Sequence, residues 1–209
     1  MPGPGPAGDN RYLPPPDGAR VPARNPRPRP GVCIWLTGLP SAGKTTLAQL
    51  LADRLAERGI PVELLDGDEV RRGLSADLGF DRGSRESHAR RVAFVAKLLV
   101  RQGVVAIVAL ISPYRSSRAA ARAEIGPFVE VHVATPLEVC EQRDRKGLYA
   151  RARRGEIPDL TGVGDPYELP EQPEIVLPTL GETPRQTVDR LVAELDRLQV
   201  LPSGQTEGI

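Results

Sequence analysis

The sequence is poor in the features that would mark several classes of protein. Its 28 Lys and Arg balance 27 Asp and Glu, a net charge of +1, so composition predicts neither a nucleic-acid partner nor binding to an anionic membrane surface. The two cysteines, Cys33 and Cys140, lack metal-ligand spacing and are interpreted as buried thiols in a reducing compartment. The longest apolar run, residues 104–111, is too short to span a bilayer. We therefore expect a cytoplasmic location and no membrane partner.

Large apolar side chains are also almost missing from the first thirty residues, which are rich in Pro, Gly and Arg. Such a segment cannot bury enough surface to offset the entropy lost on ordering. We expect a disordered tail over residues 1–30, one domain over 31–200 and a flexible C terminus over 201–209. Residues 145–173 are charged, rich in Gly and Pro and weakly periodic, which favours a mobile functional loop.

Apolar runs alternate with amphipathic stretches through the domain. Strands are predicted over 32–37, 62–66, 104–111, 129–134 and 175–177, and helices over 43–58, 87–101, 117–124, 137–144 and from 183 onward. This alternation predicts an α/β fold, a three-layer αβα sandwich with a mainly parallel five-stranded sheet. Ligands bind such sheets at the carboxyl ends of the strands, which here carry Gly38, residues 66–68, Ser112 and Thr135.

A phosphate-binding motif occupies the turn after the first predicted strand. Residues 38–45 read Gly-Leu-Pro-Ser-Ala-Gly-Lys-Thr, which matches G-x-x-x-x-G-K-[ST] between a strand and a helix. The glycines let backbone N–H groups converge on phosphates, and the helix N-terminus adds positive potential. Lys44 is expected to bridge the β- and γ-phosphates, and the Thr45 hydroxyl to reach Mg²⁺. The sequence thus predicts a P-loop NTPase fold that binds Mg²⁺ and a nucleoside triphosphate.

A pair of carboxylates after the second strand favours a kinase over a switch GTPase. Asp66 and Asp68 would lie beside the γ-phosphate, where they can serve Mg²⁺ and deprotonate or orient an attacking hydroxyl. The guanine-reading N-K-x-D motif of switch GTPases does not occur in the sequence. Since Asp-Gly-Asp also occurs in solvated turns, this motif gains its weight from its position in a P-loop domain.

The same residues extend into a longer pattern that resembles adenylylsulfate kinase, an enzyme that phosphorylates the ribose 3′-hydroxyl of adenylylsulfate. The matching stretches are Gly-Leu-Pro-Ser-Ala-Gly-Lys-Thr-Thr at 38–46, Leu-Asp-Gly-Asp-Glu-Val-Arg at 65–71, Asp-Leu-Gly-Phe at 77–80, Ile-Ser-Pro-Tyr-Arg at 111–115 and Lys-Gly-Leu-Tyr at 146–149. Arg153, Gly-Glu-Ile at 155–157, Thr-Gly at 161–162 and Pro-Tyr-Glu at 166–168 continue the match.

The resemblance implies roles for individual residues. It implies that Asp68 accepts the hydroxyl proton, that Lys44 and Asp66 complete the catalytic set, and that Thr45 and Asp66 serve the metal. The implied ATP-binding residues are Gly38, Leu39, Pro40, Ser41, Ala42, Gly43, Lys44, Thr45, Thr46, Arg143 and Thr179. The implied acceptor-binding residues are Asp68, Arg71, Phe80, Arg85, His88, Ile111, Ser112, Lys146 and Leu160.

The resemblance also implies a cofactor, a pathway and an assembly. The cofactor is Mg²⁺, the ligands are ATP and adenylylsulfate, and residues 145–165 act as a lid. Sulfate assimilation and a homodimer are further expectations that rest on the resemblance alone. Phe80 is implied to stack on the substrate adenine, although the residue pattern by itself also allows a helix-end side chain that packs into the core.

Departures from the family pattern gather on the acceptor side. His88 stands where asparagine is usual, Leu160 and Leu110 where phenylalanine is usual, and Gly164 where aspartate is usual. Histidine can replace an amide as a hydrogen-bond donor, which we favour, or act as a titrating group. A related kinase for another nucleotide or sugar hydroxyl is therefore the alternative function, and a non-catalytic nucleotide-binding module is the third.

Overall fold

The computed structural model describes residues 30–202, so the predicted tail and most of the predicted flexible C terminus lie outside the described residues. The strands are β1 (Cys33–Thr37), β2 (Val62–Asp66), β3 (Val105–Ala109), β4 (Phe128–Val133) and β5 (Ile175–Leu177). The helices are α1 (Lys44–Glu57), α2 (Gly67–Leu74), α3 (Arg82–Arg101), α4 (Arg115–Ile125), α5 (Leu137–Gln142), α6 (Leu148–Arg153) and α7 (Pro184–Arg197).

The five strands form one parallel sheet in the order β2-β3-β1-β4-β5. Strand β1 lies at the centre, with Leu36 opposite Ala109 of β3 and Val131 of β4. Because all strands run in the same direction, their carboxyl ends share one edge, and the loops after β1, β2, β3 and β4 leave the sheet side by side. The predicted α/β sandwich with a parallel five-stranded sheet is confirmed.

Apolar side chains cover both faces of the sheet. On one face Ile34 and Leu36 pack with Leu51 of α1 and Leu191 of α7. On the other face Cys33 and Trp35 pack with α3, α4 and neighbouring strand residues. Burial on both sides explains why the strands read as continuous apolar runs instead of alternating ones. Both cysteines are free and buried, as predicted.

Three predictions of secondary structure were wrong in detail. Helix α2 was not predicted, because it is only eight residues long and carries only two large apolar side chains, Val70 and Leu74. Helix α3 begins at Arg82 and not near Ser87, since the Asp81 side chain accepts a bond from the Ser84 N–H and starts the helix there. Residues 148–153 form α6 inside the stretch that was predicted to be an irregular loop.

The start of α7 matches its prediction closely. The Thr183 hydroxyl accepts a hydrogen bond from the Gln186 N–H, and the Gln186 side chain accepts one from the Thr183 N–H. Pro184 occupies the first helical position, where a missing N–H costs nothing. Among residues 30–202, no helix combines the length and the hydrophobicity that crossing a membrane would require.

This reciprocal cap should contribute measurably to stability. Thr183→Ala removes the side-chain acceptor and should lower the free energy of unfolding by about 1 kcal/mol. Thr183→Ser keeps the hydroxyl and is the matched control. Urea denaturation of the three proteins checks this, and equal transition midpoints for the alanine and serine variants would contradict it.

Candidate active site

A cleft of about 610 Å³ opens at the carboxyl edge of the sheet. Its walls come from the loop between β1 and α1, the β2–α2 junction, the end of β3 and the segment around α6. The size suits a nucleotide-sized ligand pair better than a single ion. The sheet therefore brings together the segments that the sequence assigned to one site.

The phosphate-binding loop has the curled backbone that its motif predicts. Ser41 and Gly43 have positive φ angles of 59° and 101°. Gly38 lies so close to β4 that a Cβ atom there would be 2.7 Å from the Val133 carbonyl oxygen. Lys44 Nζ donates to the carbonyl oxygens of Gly38 and Leu39 at 2.9 and 2.7 Å. Burial lowers the pKa of Lys44 to about 8, against the raising effect of nearby negative groups.

Two side chains from outside the phosphate-binding loop donate hydrogen bonds to its backbone carbonyl oxygens. The Thr135 hydroxyl, after β4, donates to the Ala42 carbonyl oxygen at 2.8 Å and lies 2.6 Å from the Thr179 hydroxyl. The Tyr149 hydroxyl, on α6, donates to the Pro40 carbonyl oxygen at 3.0 Å. The loop is thus fixed to the ends of β4 and β5 and to the base of the predicted lid.

The oxygen atoms of Thr45 and Asp66 form a pair that fits magnesium. The Thr45 hydroxyl donates to Asp66 Oδ2 at 2.7 Å, while Asp66 Oδ1 accepts from the Asp68 N–H and caps α2. Mg²⁺ prefers hard oxygen ligands and is commonly held by one or two protein groups together with substrate phosphates. Within residues 30–202 no cluster of three or more His, Cys, Asp or Glu could hold a metal. Thr45 and Asp66 therefore fit an ion that binds together with a nucleotide.

The second carboxylate meets a lysine from the predicted lid. Asp68 is exposed, and its Oδ2 forms an ion pair with Lys146 Nζ. Just after Lys146, the N–H groups of Leu148 and Tyr149 donate hydrogen bonds to the Asp144 carboxylate, and these bonds start α6. The position of Lys146 over the cleft is thus set by a short, capped helix.

Two arginine side chains contact Phe80 at the side of the cleft that is predicted to bind the acceptor. Phe80 is 61% exposed, with the Arg71 guanidinium 4.5 Å and that of Arg85 5.8 Å from its ring centroid. Burial and the charge of Arg85 lower the pKa of Arg71, with Asp68 opposing this effect. Arg85 also donates to the carbonyl oxygens of Phe80 and Asp159. An exposed ring in this setting is not a core residue, which removes the alternative interpretation of Phe80.

His88 lines the same side of the cleft but is itself buried. It is 5% exposed, and its Nδ1 lies 2.9 Å from the hydroxyl of Ser75, which is fully buried. Burial, and then the charges of Arg71 and Arg91, lower the pKa of His88 to about 4. The imidazole is therefore neutral near pH 7, which favours a hydrogen-bonding role over a titrating one.

Ile111 and Ser112 form the floor beside these residues. Ser112 has a φ of 44°, unusual for a residue with a Cβ. The Thr37 hydroxyl donates to the Ile111 carbonyl oxygen at 2.7 Å, and Trp35 Nε1 donates to Ser112 Oγ at 2.9 Å. Strand β1 thus supports the acceptor side of the cleft as well as the phosphate-binding loop.

Nearly all the residues predicted for the site line this cleft. They are Pro40, Ser41, Ala42, Gly43, Lys44, Thr45, Thr46, Asp66, Asp68, Arg71, Phe80, Arg85, His88, Ile111, Ser112, Arg143, Lys146 and Thr179. Gly38 and Leu39, the first two residues of the loop, do not line the cleft.

Leu160 is the one predicted acceptor-binding residue that does not line the cleft. It is 6% exposed and belongs to the core on the α1 side of the sheet. Its carbonyl oxygen accepts N–H bonds from Val163, Gly164 and Asp165 in a tight turn. A Cβ at Gly164 would be 1.6 Å from the Pro158 carbonyl oxygen, so this turn excludes the aspartate usual at that position. The role of Leu160 as one face of an adenine pocket stays a prediction.

Sequence reasoning missed several residues that the cleft contains. Glu182, Thr187 and Arg145 line it, and Glu182 Oε2 accepts from the Thr187 hydroxyl and from Arg190. The lining residues Glu182 and Thr187 flank the capping box of α7, which the sequence predicted as a helix start without relating it to the site.

Comparisons with known proteins agree with this geometry. Residues 30–178 match the protein family described as adenylylsulphate kinase. An adenylyl-sulfate kinase of Synechococcus sp. (strain JA-3-3Ab) is 52% identical over 167 residues, which cover 80% of this chain and 95% of that protein. A probable adenylyl-sulfate kinase of Pyrococcus abyssi is 52% identical over 172 residues, 82% and 99% of the two chains.

A solved structure supports the same relationship. The Mycobacterium tuberculosis APS kinase CysC, in complex with AMPPNP and APS, superposes with a TM-score of 0.77. It is 41% identical in sequence, and the match covers 81% of this chain and 99% of that one.

The buried, neutral state of His88 predicts a specific loss of stability in acid. Its pKa is about 4 in the folded state and 6.5 as the ordinary value, so the unfolded state binds the extra proton first as pH falls. The free energy of unfolding should drop between pH 6.5 and pH 4, by at most about 3 kcal/mol and by less where cleft water screens the charge.

His88→Asn should remove this component. Denaturant unfolding of both proteins at several pH values gives the difference in stability, in which contributions from His132 and the carboxylates cancel. A difference that stays constant from pH 7.5 to pH 4 would mean that His88 titrates normally in the folded protein.

Proposed function

This chain belongs to the adenylylsulphate kinase family, and we propose that it transfers the γ-phosphoryl group of ATP to the 3′-hydroxyl of adenylylsulfate. The products are 3′-phosphoadenylylsulfate and ADP. The observation that carries the proposal is the convergence of Lys44, the Thr45–Asp66 pair and Asp68 in one cleft, in a chain about half identical to such kinases.

The phosphate-binding loop, together with Arg143 and Thr179, would hold ATP. Backbone N–H groups of residues 43–46, at the start of α1, supply donors for the phosphates, and Lys44 supplies a charge near the group that is transferred. When phosphate oxygens approach, they compete with the Gly38 and Leu39 carbonyl oxygens for Lys44 Nζ. Arg143 and Thr179 line the far end of the cleft, where the base would lie.

Thr45 and Asp66 are the residues that would hold Mg²⁺. Bound there with ATP, the ion supplies positive charge that offsets the negative charge gathering on the phosphate oxygens. Asp66 also caps α2, so the same carboxylate fixes the start of the helix that carries Asp68 and Arg71.

Asp68 is the residue that would take the proton. As the acceptor oxygen forms its bond to the γ-phosphorus, the bond from that phosphorus to the bridging oxygen of ADP breaks. The hydroxyl proton passes to the Asp68 carboxylate. Lys146, now paired with Asp68, would instead neutralise anionic groups of the substrates once both are bound. The lid role of residues 145–165 rests on this contact and on the capped helix α6.

The acceptor would occupy the side of the cleft built by Arg71, Phe80, His88 and Ser112. The exposed Phe80 ring offers a stacking face for the adenine base, worth about 1–3 kcal/mol in comparable base contacts. The guanidinium of Arg71 offers a charged donor for the sulfate and phosphate of the acceptor. A kinase for another nucleotide or a sugar is the second candidate, because His88, which stands where asparagine is usual, lines this side of the cleft. A cytoplasmic location, a role in sulfate assimilation and a homodimer stay predictions.

The division of roles between the two carboxylates can be tested by matched substitutions. Asp68→Asn should lower kcat by about 10²-fold or more, because a proton acceptor is lost, and should leave ATP affinity nearly unchanged. Asp66→Asn should weaken binding of Mg²⁺ and ATP as well. Steady-state kinetics with ATP titrations separate these outcomes, and a parallel loss of ATP affinity in Asp68→Asn would reverse the assignment.

The acceptor itself is tested by a panel of adenylylsulfate, other nucleotides and sugars. The proposal expects adenylylsulfate to give the highest kcat/KM, at about 10⁴ M⁻¹s⁻¹ or above. ADP release provides the measurement for every acceptor. A value below about 10³ M⁻¹s⁻¹ together with a better acceptor would leave a kinase of different specificity, and no turnover with any acceptor would favour a non-catalytic module.

A further inference from the structure

A buried cluster of polar side chains lies beneath the acceptor side of the cleft and outside the proposed catalytic set. Its central member is Arg118 of α4, only 2% exposed. Burying a guanidinium is costly unless it is paired and its donors are used. Arg118 is paired with Glu130, and each of its terminal nitrogens donates to a carbonyl oxygen, which points to a purpose beyond packing.

Arg118 contacts two separate segments of backbone. One terminal nitrogen donates to the Ser112 carbonyl oxygen and the other to the Glu168 carbonyl oxygen, both at 2.6 Å. Its Nε lies 2.7 Å from Glu130 Oε1 on β4, which supplies the counter-charge. The planar guanidinium group of Arg118 therefore joins Ser112, after β3, to Glu168, which follows the predicted lid.

The segment that Arg118 holds has an unfavourable backbone conformation. Ser112 has a φ of 44°, a region that residues with a Cβ avoid, so surrounding contacts must maintain it. Three donors do so: Trp35 to Ser112 Oγ, Thr37 to the Ile111 carbonyl oxygen and Arg118 to the Ser112 carbonyl oxygen. With both carbonyl groups engaged inside the protein, the N–H groups of Ile111 and Ser112 donate to no residue within 30–202.

The second segment is tied to the first by further bonds. The Glu168 N–H donates to the Pro113 carbonyl oxygen, and the Glu168 carboxylate accepts from the Arg115 N–H. The Tyr167 hydroxyl lies 2.9 Å from the Thr37 hydroxyl. Residues 167–168 and the end of β3 are therefore one unit, with Arg118 at its centre.

We propose that Arg118, with Glu130 as its counter-ion, is a positioning residue that fixes Ile111 and Ser112 for binding of the acceptor. Arg118 does not line the cleft, so its effect on binding passes through the Ser112 peptide. The inference rests on the proposed function, since it assumes that the acceptor lies against this floor. It assigns no contact with ATP to the cluster.

The test compares Arg118→Lys with Arg122→Lys. Lysine keeps the charge beside Glu130 but cannot reach the Ser112 and Glu168 carbonyl oxygens together. Arg118→Lys should raise KM for adenylylsulfate by about tenfold, the order expected when a charged hydrogen bond is lost, and change KM for ATP less than twofold. Arg122 also faces Glu130, at 3.6 Å, but touches neither carbonyl group, so Arg122→Lys should leave both KM values unchanged.

A merely structural role would lower the amount of folded protein and leave both KM values intact. Should Arg118→Lys fail to fold, Arg118→Met combined with Glu130→Gln removes the guanidinium group without leaving an unpaired buried charge, and the same change in KM is expected. Unchanged KM for adenylylsulfate in a folded variant, or an equal rise in both KM values, would overturn the inference. Failure of the proposed function is distinguishable, because the wild-type protein itself would then not phosphorylate adenylylsulfate.

Discussion

The burial of β1 between β3 and β4 is the constraint on which the site depends. Every residue of β1 is buried, and its last residue, Thr37, is followed at once by the phosphate-binding loop. Because the parallel register fixes where β3 ends beside β1, the floor after β3 lies next to that loop, and the carboxylates at the end of β2 lie one strand farther along the same edge. The polar atoms of β1, on Trp35 and Thr37, point the same way and bond to Ser112 and Ile111. The core strand thus positions both halves of the cleft.

The two halves of the cleft use different physical means. The side proposed to bind ATP consists mainly of backbone N–H groups in one curled loop. The Thr135 and Tyr149 hydroxyls fix this loop by donating hydrogen bonds to its carbonyl oxygens. The side proposed to bind the acceptor consists of side chains, among them Arg71, Phe80 and His88, from α2, the α2–α3 connection and α3. Charges of both signs meet where the halves join, with Asp66 and Asp68 facing Lys44 and Lys146. An attacking hydroxyl and a transferred phosphoryl group need that combination at one point.

This difference explains how much could be predicted from the sequence. The five strands and the phosphate-binding loop were predicted because their signals are local: apolar runs, glycines and a Lys-Thr pair at fixed spacing. Helix α2 has eight residues and α6 has six, so neither is long enough to give a clear periodicity in the sequence. Leu160 could not be placed, since its turn depends on the close approach of Gly164 to Pro158. The Ser75–His88 pair likewise joins residues that no local pattern connects.

The difference between the two sides of the cleft also determines which amino-acid substitutions the fold can accept. A substitution in the phosphate-binding loop alters backbone geometry that all the phosphate contacts share, so the motif tolerates little variation. A substitution at the acceptor surface alters one contact, provided that the floor beneath it stays in place. The change from the usual asparagine to His88 fits this condition, because Ser75 supplies its partner within the protein and the buried bonds to Ser112 are untouched. Variation in acceptor recognition should therefore concentrate on exposed or cleft-facing residues such as Phe80 and His88. The polar residues under the floor are constrained together, since losing any one leaves another buried and unpaired.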